Sequence, residues 1–148
     1  MRVKDIRQAL QSVVVEYRVA TAAVDQLHFS IVDDPTRLRR FAFDRAAIRG
    51  CARRLEITYL LRMFAVFEGG LRSVWLNAIA KTTEPPMEHL LDALAARLHV
   101  RVDTLDQAHA VRDYRNDLIH EGLQIARIPL ATCQRHLEQF LSEIPLQW

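Results

Sequence analysis

Residues 3–35 read VKDIRQALQSVVVEYRVATAAVDQLHFSIVDDP. Apolar side chains recur in this segment at alternating spacings of three and four residues, namely at Val3, Ile6, Leu10, Val13, Tyr17, Ala20, Val24, Leu27 and Ile31. Such spacing keeps one stripe on a single helix face for about eight turns. The residue before a proline is disfavoured in the helical conformation, so Asp33-Asp34-Pro35 is expected to end the helix. The segment therefore predicts one long helix of coiled-coil-like regularity.

The rest of the chain predicts four further helices. The second begins with Asp44 as its N-cap and ends near Lys81, and the pair Gly69-Gly70 predicts either a kink or a close approach of another backbone within it. Residues 36–43 are expected to form a loop or a short helix. The remaining helices are expected from Met87 to Leu98, from an N-cap at Asp103 to about Glu121 with Gly122 closing it, and between Pro129 and Pro145.

Composition supports the same fold class. The chain has 148 residues, of which 50% are apolar, with only four glycines and five prolines to make turns. This length and composition favour one domain of residues 1–148 with helices joined by short connections. We therefore predict an all-α, up-and-down bundle of about five helices, including two long antiparallel helices.

Charge and cysteine content narrow the classes of function. The net charge is +2, but residues 37–62 contain eight arginines against two acidic residues. A basic stretch of this kind attracts phosphates, but it is more often a solvated face than an RNA track. Exposed aromatic residues interleaved with these arginines are not expected, which argues against a single-strand stacking platform. The two cysteines are too few for a disulfide framework, and no apolar run suggests export or a membrane span, so a cytoplasmic location is expected.

The fourth predicted helix carries the densest group of polar side chains, in the stretch Tyr114-Arg-Asn-Asp-Leu-Ile-His-Glu-Gly122. A helical projection divides this helix into a solvated acidic face, an apolar arc and a polar strip between them. The acidic face comprises Asp106, Asp113, Asp117 and Glu121, and the polar strip comprises His109, Arg112, Asn116 and His120. Asn116 and His120 lie one turn apart, whereas Arg115 projects into the apolar arc.

The inward position of Arg115 requires a partner, because an unpaired buried charge is very unfavourable. Glu68 occupies an equally unexpected place in the middle of the apolar stripe of the second helix. Two opposite charges on two apolar faces predict a buried Arg115–Glu68 contact. Such a pair is compatible with a purely structural role and with a functional one.

These residues resemble a known signature. Arg115-Asn116-x-x-x-His120 is similar to the Arg-x4–6-His motif of the HEPN superfamily (higher eukaryotes and prokaryotes nucleotide-binding domains), whose members are small helical bundles with the motif on a late helix. The stretch Phe67-Glu-Gly-Gly-Leu-Arg72 is similar to the helix of such domains that carries a glutamate among apolar residues. The two matches cover two of the five predicted helices, and the number and order of the others agree.

For an active member, the resemblance implies metal-independent cleavage of RNA, in which the ribose 2′-OH attacks the adjacent phosphate and leaves a 2′,3′-cyclic phosphate and a 5′-OH. His120 is then the general base or acid, Arg115 stabilises charge on the phosphoryl oxygens, and Asn116 orients them. Arg112 is expected to hold a flanking phosphate, with Glu68 and His109 in supporting positions.

The same resemblance implies partners. In-line displacement needs a base and an acid, but each chain has one motif histidine, so a homodimer with a shared cleft is expected. A toxin or defence role would add an antitoxin or nucleotidyltransferase-like partner protein. Several such toxins carry a modified tyrosine two residues after the histidine; this chain has Gly122 there, which does not favour that route of silencing.

Other classes of site have weaker support. Cys133 with His136, and His109 with Asp113, are isolated pairs that do not make a metal site, so no metal and no cofactor are expected. Two alternatives to the ribonuclease stay open. One is a non-catalytic HEPN-like module that binds nucleotide, RNA or a partner enzyme, and the other is a structural bundle in which the motif is incidental.

Overall fold

The computed structural model describes residues 2–41, 43–120 and 127–145. These residues form five α-helices, one short 3-10 helix and no strand, which confirms the predicted all-α class. The α-helices are α1 (Val3–Asp33), α2 (Arg45–Asn77), α3 (Met87–Leu98), α4 (Val102–Ile119) and α5 (Leu130–Ser142), and the 3-10 helix spans Pro35–Arg40.

The ends of α1 and α2 follow the local signals of the sequence. α1 stops two residues before Pro35, and the Asp34 carboxylate then accepts a hydrogen bond from the Thr36 backbone N–H (3.1 Å). The Asp44 side chain caps α2 by accepting from the Ala47 backbone N–H (2.9 Å), as predicted. α2 ends at Asn77, four residues before the expected position, because the chain turns there and Ala80 adopts a left-handed conformation (φ 55°).

α1 and α2 form the predicted long antiparallel pair. The rings of Tyr17 and Tyr59 lie 5.7 Å apart near the middle, and Arg45 at the start of α2 donates to the Ile31 carbonyl near the end of α1 (3.3 Å). At the opposite end, Gly70 lies directly against Ile6. α2 runs unbroken through Gly69-Gly70, and at Gly70 it is the side chain of Ile6, rather than a second backbone, that approaches closely.

The stripe of α1 is covered along only part of its length. The beginning of the stripe is buried, at Val3, Ile6, Leu10 and Val13. Its middle is half-buried, at Tyr17, Ala20, Val24 and Leu27, and its last residue, Ile31, is buried again. α5 meets α1 near its beginning, where Arg7 donates to the Leu141 carbonyl (2.9 Å). Residues 15–33 of α1 and residues 45–55 of α2 therefore pack mainly on each other, and we call them the α1–α2 arm.

The core lies outside the arm, between the first half of α1, the second half of α2 and the three shorter helices. Its largest fully buried side chains include Phe64 and Phe67 of α2 and Phe140 of α5, with the Phe67 and Phe140 rings 5.9 Å apart in an edge-to-face arrangement. At the far end of the bundle, Glu143 joins α5 to α4 by accepting from the Arg101 backbone N–H (2.7 Å) and the Thr104 hydroxyl (2.7 Å). None of the described helices is sufficiently long and apolar to cross a bilayer.

Candidate functional site

α4 presents the motif at its C-terminal end. The helix begins at Val102 with Arg101 as its N-cap, two residues before the predicted N-cap Asp103, which lies instead in the first turn, where a negative charge is favourable. The side chains of Ala108, Val111 and Tyr114 are buried on the core face. The helix ends at Ile119 with His120 as its C-cap, so the predicted end at Glu121 and Gly122 lies outside the described residues.

Among the described residues, the partners of the inward-pointing Arg115 guanidinium are an aromatic ring and an amide oxygen rather than a carboxylate. Its guanidinium carbon lies 5.7 Å from the centroid of the Phe64 ring, which is within cation–π distance, and its Nη1 donates to Asn116 Oδ1 (2.9 Å). Among the described residues, no acidic side chain forms an ion pair with Arg115. The guanidinium is therefore held in place while its positive charge is left unneutralised by an anion.

His120 lies on the surface at the end of α4, one turn after Asn116. Its side chain is exposed, and its backbone N–H donates to the Asn116 carbonyl (3.1 Å). Asn116 therefore touches both neighbours, through its side chain to Arg115 and through its backbone to His120. In the part of the chain that the structure describes, the His120 imidazole makes no hydrogen bond, so it is free to meet a ligand.

Glu68 does not contact Arg115, and that prediction is wrong. Its carboxylate accepts from Arg72 Nη2 (2.6 Å) and Nε (3.1 Å), and Arg72 also donates to the Pro85 carbonyl (3.0 Å). Glu68 pairs with Arg72 because Arg72 lies one turn further along the same helix, so the pair forms without bridging two helices. The spacing of four residues between Glu68 and Arg72 was the signal in the sequence that would have found this pair.

Arg112 and His109 join α4 to α3. The Arg112 guanidinium lies between Asp113 Oδ1 (2.6 Å) and Glu88 Oε2 (3.1 Å), with a side chain only 14% exposed. His109 Nε2 lies 2.8 Å from Asp92 Oδ1. Both groups are engaged by carboxylates, which makes Arg112 less suited to hold a phosphate than an unpaired arginine.

Asp117 differs from its expected place on the solvated acidic face. It is half-buried, and its Oδ2 is buried without a hydrogen-bond partner. A buried carboxylate oxygen without a donor among the described residues is unfavourable. A projection of one helix could not show this burial, because it carries no information about which atoms cover a side chain.

Two findings limit what can be added to the site. Among residues 2–41, 43–120 and 127–145, no three His, Cys, Asp or Glu side chains converge as a metal site would require. Comparison with protein-family models, with curated proteins and with solved structures finds no match to this chain. Function must therefore be argued from the geometry of Arg115, Asn116 and His120.

Proposed function

We propose that this protein is a metal-independent endoribonuclease of the HEPN type that acts as a homodimer, as a toxin or defence component. One observation carries the proposal. The Arg115 guanidinium is held by Asn116 and by the Phe64 ring, forms no ion pair with a described carboxylate, and belongs to the same helix end as the exposed His120. A held cation and an exposed imidazole at one helix end are the residue types that phosphoryl transfer from RNA requires.

The proposed reaction uses these groups in one step. One imidazole takes the proton of the ribose 2′-OH as the 2′-oxygen attacks phosphorus, and a second imidazole gives a proton to the departing 5′-oxygen. Arg115 stabilises the charge that develops on the non-bridging oxygens. The products are a 2′,3′-cyclic phosphate and a 5′-OH, and no metal takes part.

A homodimer supplies the second imidazole in this proposal. A two-fold axis near the ends of two α4 helices would place one His120 on each side of the scissile phosphate. An antitoxin that covers this surface would silence the enzyme.

A second candidate function has its own support. The Arg115 and Asn116 side chains are hydrogen-bonded to each other, whereas the His120 imidazole stands outside this contact. The Arg115–Asn116 pair by itself can bind a phosphate without cleaving it. A non-catalytic module that binds nucleotide, RNA or a partner protein is therefore the alternative.

The test is cleavage of single-stranded RNA by purified protein in excess EDTA, with the ends of the products identified by mass spectrometry. We expect cyclic phosphate ends, and a rate loss of about 10²- to 10⁴-fold in His120→Ala, the usual effect of removing an acid–base group. Arg115→Lys keeps the charge but not the planar fork and should also be impaired. His89→Ala, an exposed histidine on α3, is the matched control.

The outcomes separate the candidates. Absence of cleavage by the wild-type protein, or equal cleavage by His120→Ala, would rule out the ribonuclease and favour the binding module. Equilibrium sedimentation checks the dimer independently. A protein that stays monomeric at the concentrations used for cleavage would remove the shared cleft even if RNA is cut.

A further inference from the structure

A second basic surface lies on the α1–α2 arm, outside the site described above. A depression of about 400 Å³ opens there between the two helices. Its apolar wall includes Val24 and Ile48, and its rim carries Asp25 and His28 from α1 and Arg49 and Arg53 from α2. The depression thus combines two guanidinium groups and an imidazole with a single carboxylate.

Arg49 and Arg53 both line the depression and carry no neutralising carboxylate among the described residues. Both are exposed, they lie one turn apart, and no described carboxylate forms an ion pair with either. By contrast, Arg62 is paired with Glu16, Arg72 with Glu68, and Arg127 with Glu56. Arg53 uses only its Nε, which donates to the Arg49 carbonyl (3.4 Å). The outer nitrogens of both side chains are therefore available to bind an anion.

The same face of α2 connects this depression to Arg115. Counting back from Phe64, which supports the Arg115 guanidinium, the residues at helical spacing are Leu60, Glu56, Arg53 and Arg49. Leu60 is buried in the core, Glu56 accepts from the Leu130 backbone N–H (3.0 Å), and the two arginines lie beyond the covered part of the helix. The face therefore relates the two sites in direction and axial distance only, and an RNA strand that reaches from one to the other passes over the residues that cover Leu60 and Glu56.

The length of this face can be expressed in nucleotides. Phe64 and Arg53 are 11 residues apart and Phe64 and Arg49 are 15 apart, which at 1.5 Å per residue gives roughly 16 and 22 Å. A stacked single strand rises about 3.4 Å per nucleotide, so these distances correspond to roughly five nucleotides for Arg53 and roughly six to seven for Arg49.

We infer that Arg49 and Arg53 bind backbone phosphates of single-stranded RNA about five to seven nucleotides from the phosphate held at Arg115. The inference rests on the proposed function for the identity of the ligand. A guanidinium fork matches phosphate geometry, and the His28 imidazole offers a further donor at the rim. The basic stretch thus contains a specific substrate-binding surface in addition to solvated arginines.

The test measures binding without cleavage. A fluorescein-labelled, unstructured RNA of about 20 nucleotides, long enough to span both surfaces, is titrated with the His120→Ala protein, and anisotropy is followed at several salt concentrations. We compare Arg49→Gln/Arg53→Gln with Arg39→Gln/Arg54→Gln in the same background. The control removes the same charge from two other exposed arginines that form no ion pair in the described residues.

The phosphate contacts predict two effects for Arg49→Gln/Arg53→Gln. Affinity falls about tenfold at moderate salt, and the slope of log K against log salt decreases by about 1.4, since each contact with a single strand contributes about 0.7. The control should stay within about twofold of its parent. Circular dichroism checks that both double variants are folded.

Equal losses in the two double variants would show diffuse attraction and overturn the inference, as would an unchanged affinity in Arg49→Gln/Arg53→Gln. The proposed function fails separately. If binding depends on these two arginines but the wild-type protein cuts no RNA, the binding surface stands and the nuclease does not. If RNA is cut and the double variant keeps its affinity and KM, the nuclease stands and the surface does not.

Discussion

Gly70 offers a sharp test of the α1–α2 packing, because its neighbour Gly69 is an ideal control. A Cβ on Gly70 would lie 2.6 Å from Cγ1, 2.7 Å from Cδ1 and 2.8 Å from Cγ2 of Ile6. Carbon atoms pack best at about 3.5–4.0 Å, so the shortfall is about 1 Å at three atoms. Ile6 is fully buried and branched at Cβ, which prevents a simple rotation of its side chain away from the added methyl group. The two helices would have to separate.

The expected difference in stability between Gly70→Ala and Gly69→Ala follows from two opposing contributions to the free energy of unfolding. Replacing a mid-helix glycine by alanine stabilises by about 0.5–1 kcal/mol through helix propensity, and this gain is common to both positions. At Gly69 a Cβ meets nothing within 4 Å, so Gly69→Ala should show the gain alone. At Gly70, overpacking subtracts about 1–3 kcal/mol. The difference between the variants is therefore about 2 kcal/mol, or about 6 °C in Tm for a chain of this size.

Urea unfolding followed by circular dichroism measures this difference, provided that the m-values agree. The triple comparison with Gly70→Ala/Ile6→Val localises the cause, because removing Cδ1 from Ile6 should recover part of the loss. If Gly70→Ala is as stable as Gly69→Ala, the close approach of α1 to α2 at this position is wrong.

Other predictions concern single side chains. Glu68→Gln should leave the proposed RNA cleavage within about twofold and reduce the free energy of unfolding by no more than about 1 kcal/mol, since it breaks a half-exposed pair with Arg72; loss of cleavage would mean that Glu68 acts on Arg115 after all. Burial raises the pKa of the Cys133 thiol to about 12, so iodoacetamide at pH 8 should alkylate exposed Cys51 alone, and mass spectrometry should find a second adduct only in urea. Burial, together with the nearby charge of Arg135, lowers the pKa of His136 below its ordinary value of 6.5. The unfolded chain therefore binds a proton more readily, and stability should fall as pH drops below that value. The His136→Gln variant should therefore lose less stability between pH 7.5 and pH 5.5 than the wild-type protein, as measured by the urea midpoints at the two pH values. An equal loss in both proteins would show that His136 does not contribute to this pH dependence.

The sequence by itself determined the helices. Three-four spacing of apolar residues defines which face of α1 is apolar, prolines mark where helices stop, and Asp44 provides its own cap on α2. These signals act within a few residues of the chain, so they can be read without knowing the fold. The sequence likewise shows that Arg115, Asn116 and His120 belong together, because one helix carries all three.

Only the tertiary structure decided what covers each face. The α1 stripe predicts a partner along its whole length, but α5 reaches only the beginning of the helix, and the middle is left half-buried against α2. The partner of Arg115 is an aromatic ring rather than Glu68, since the carboxylate is taken by an arginine one turn away. A periodic pattern states that a face must be covered, but it contains no information about which atoms of a distant segment arrive there. For the same physical reason, the row that runs from Phe64 to Arg49 could be recognised only after the structure showed where the core ends.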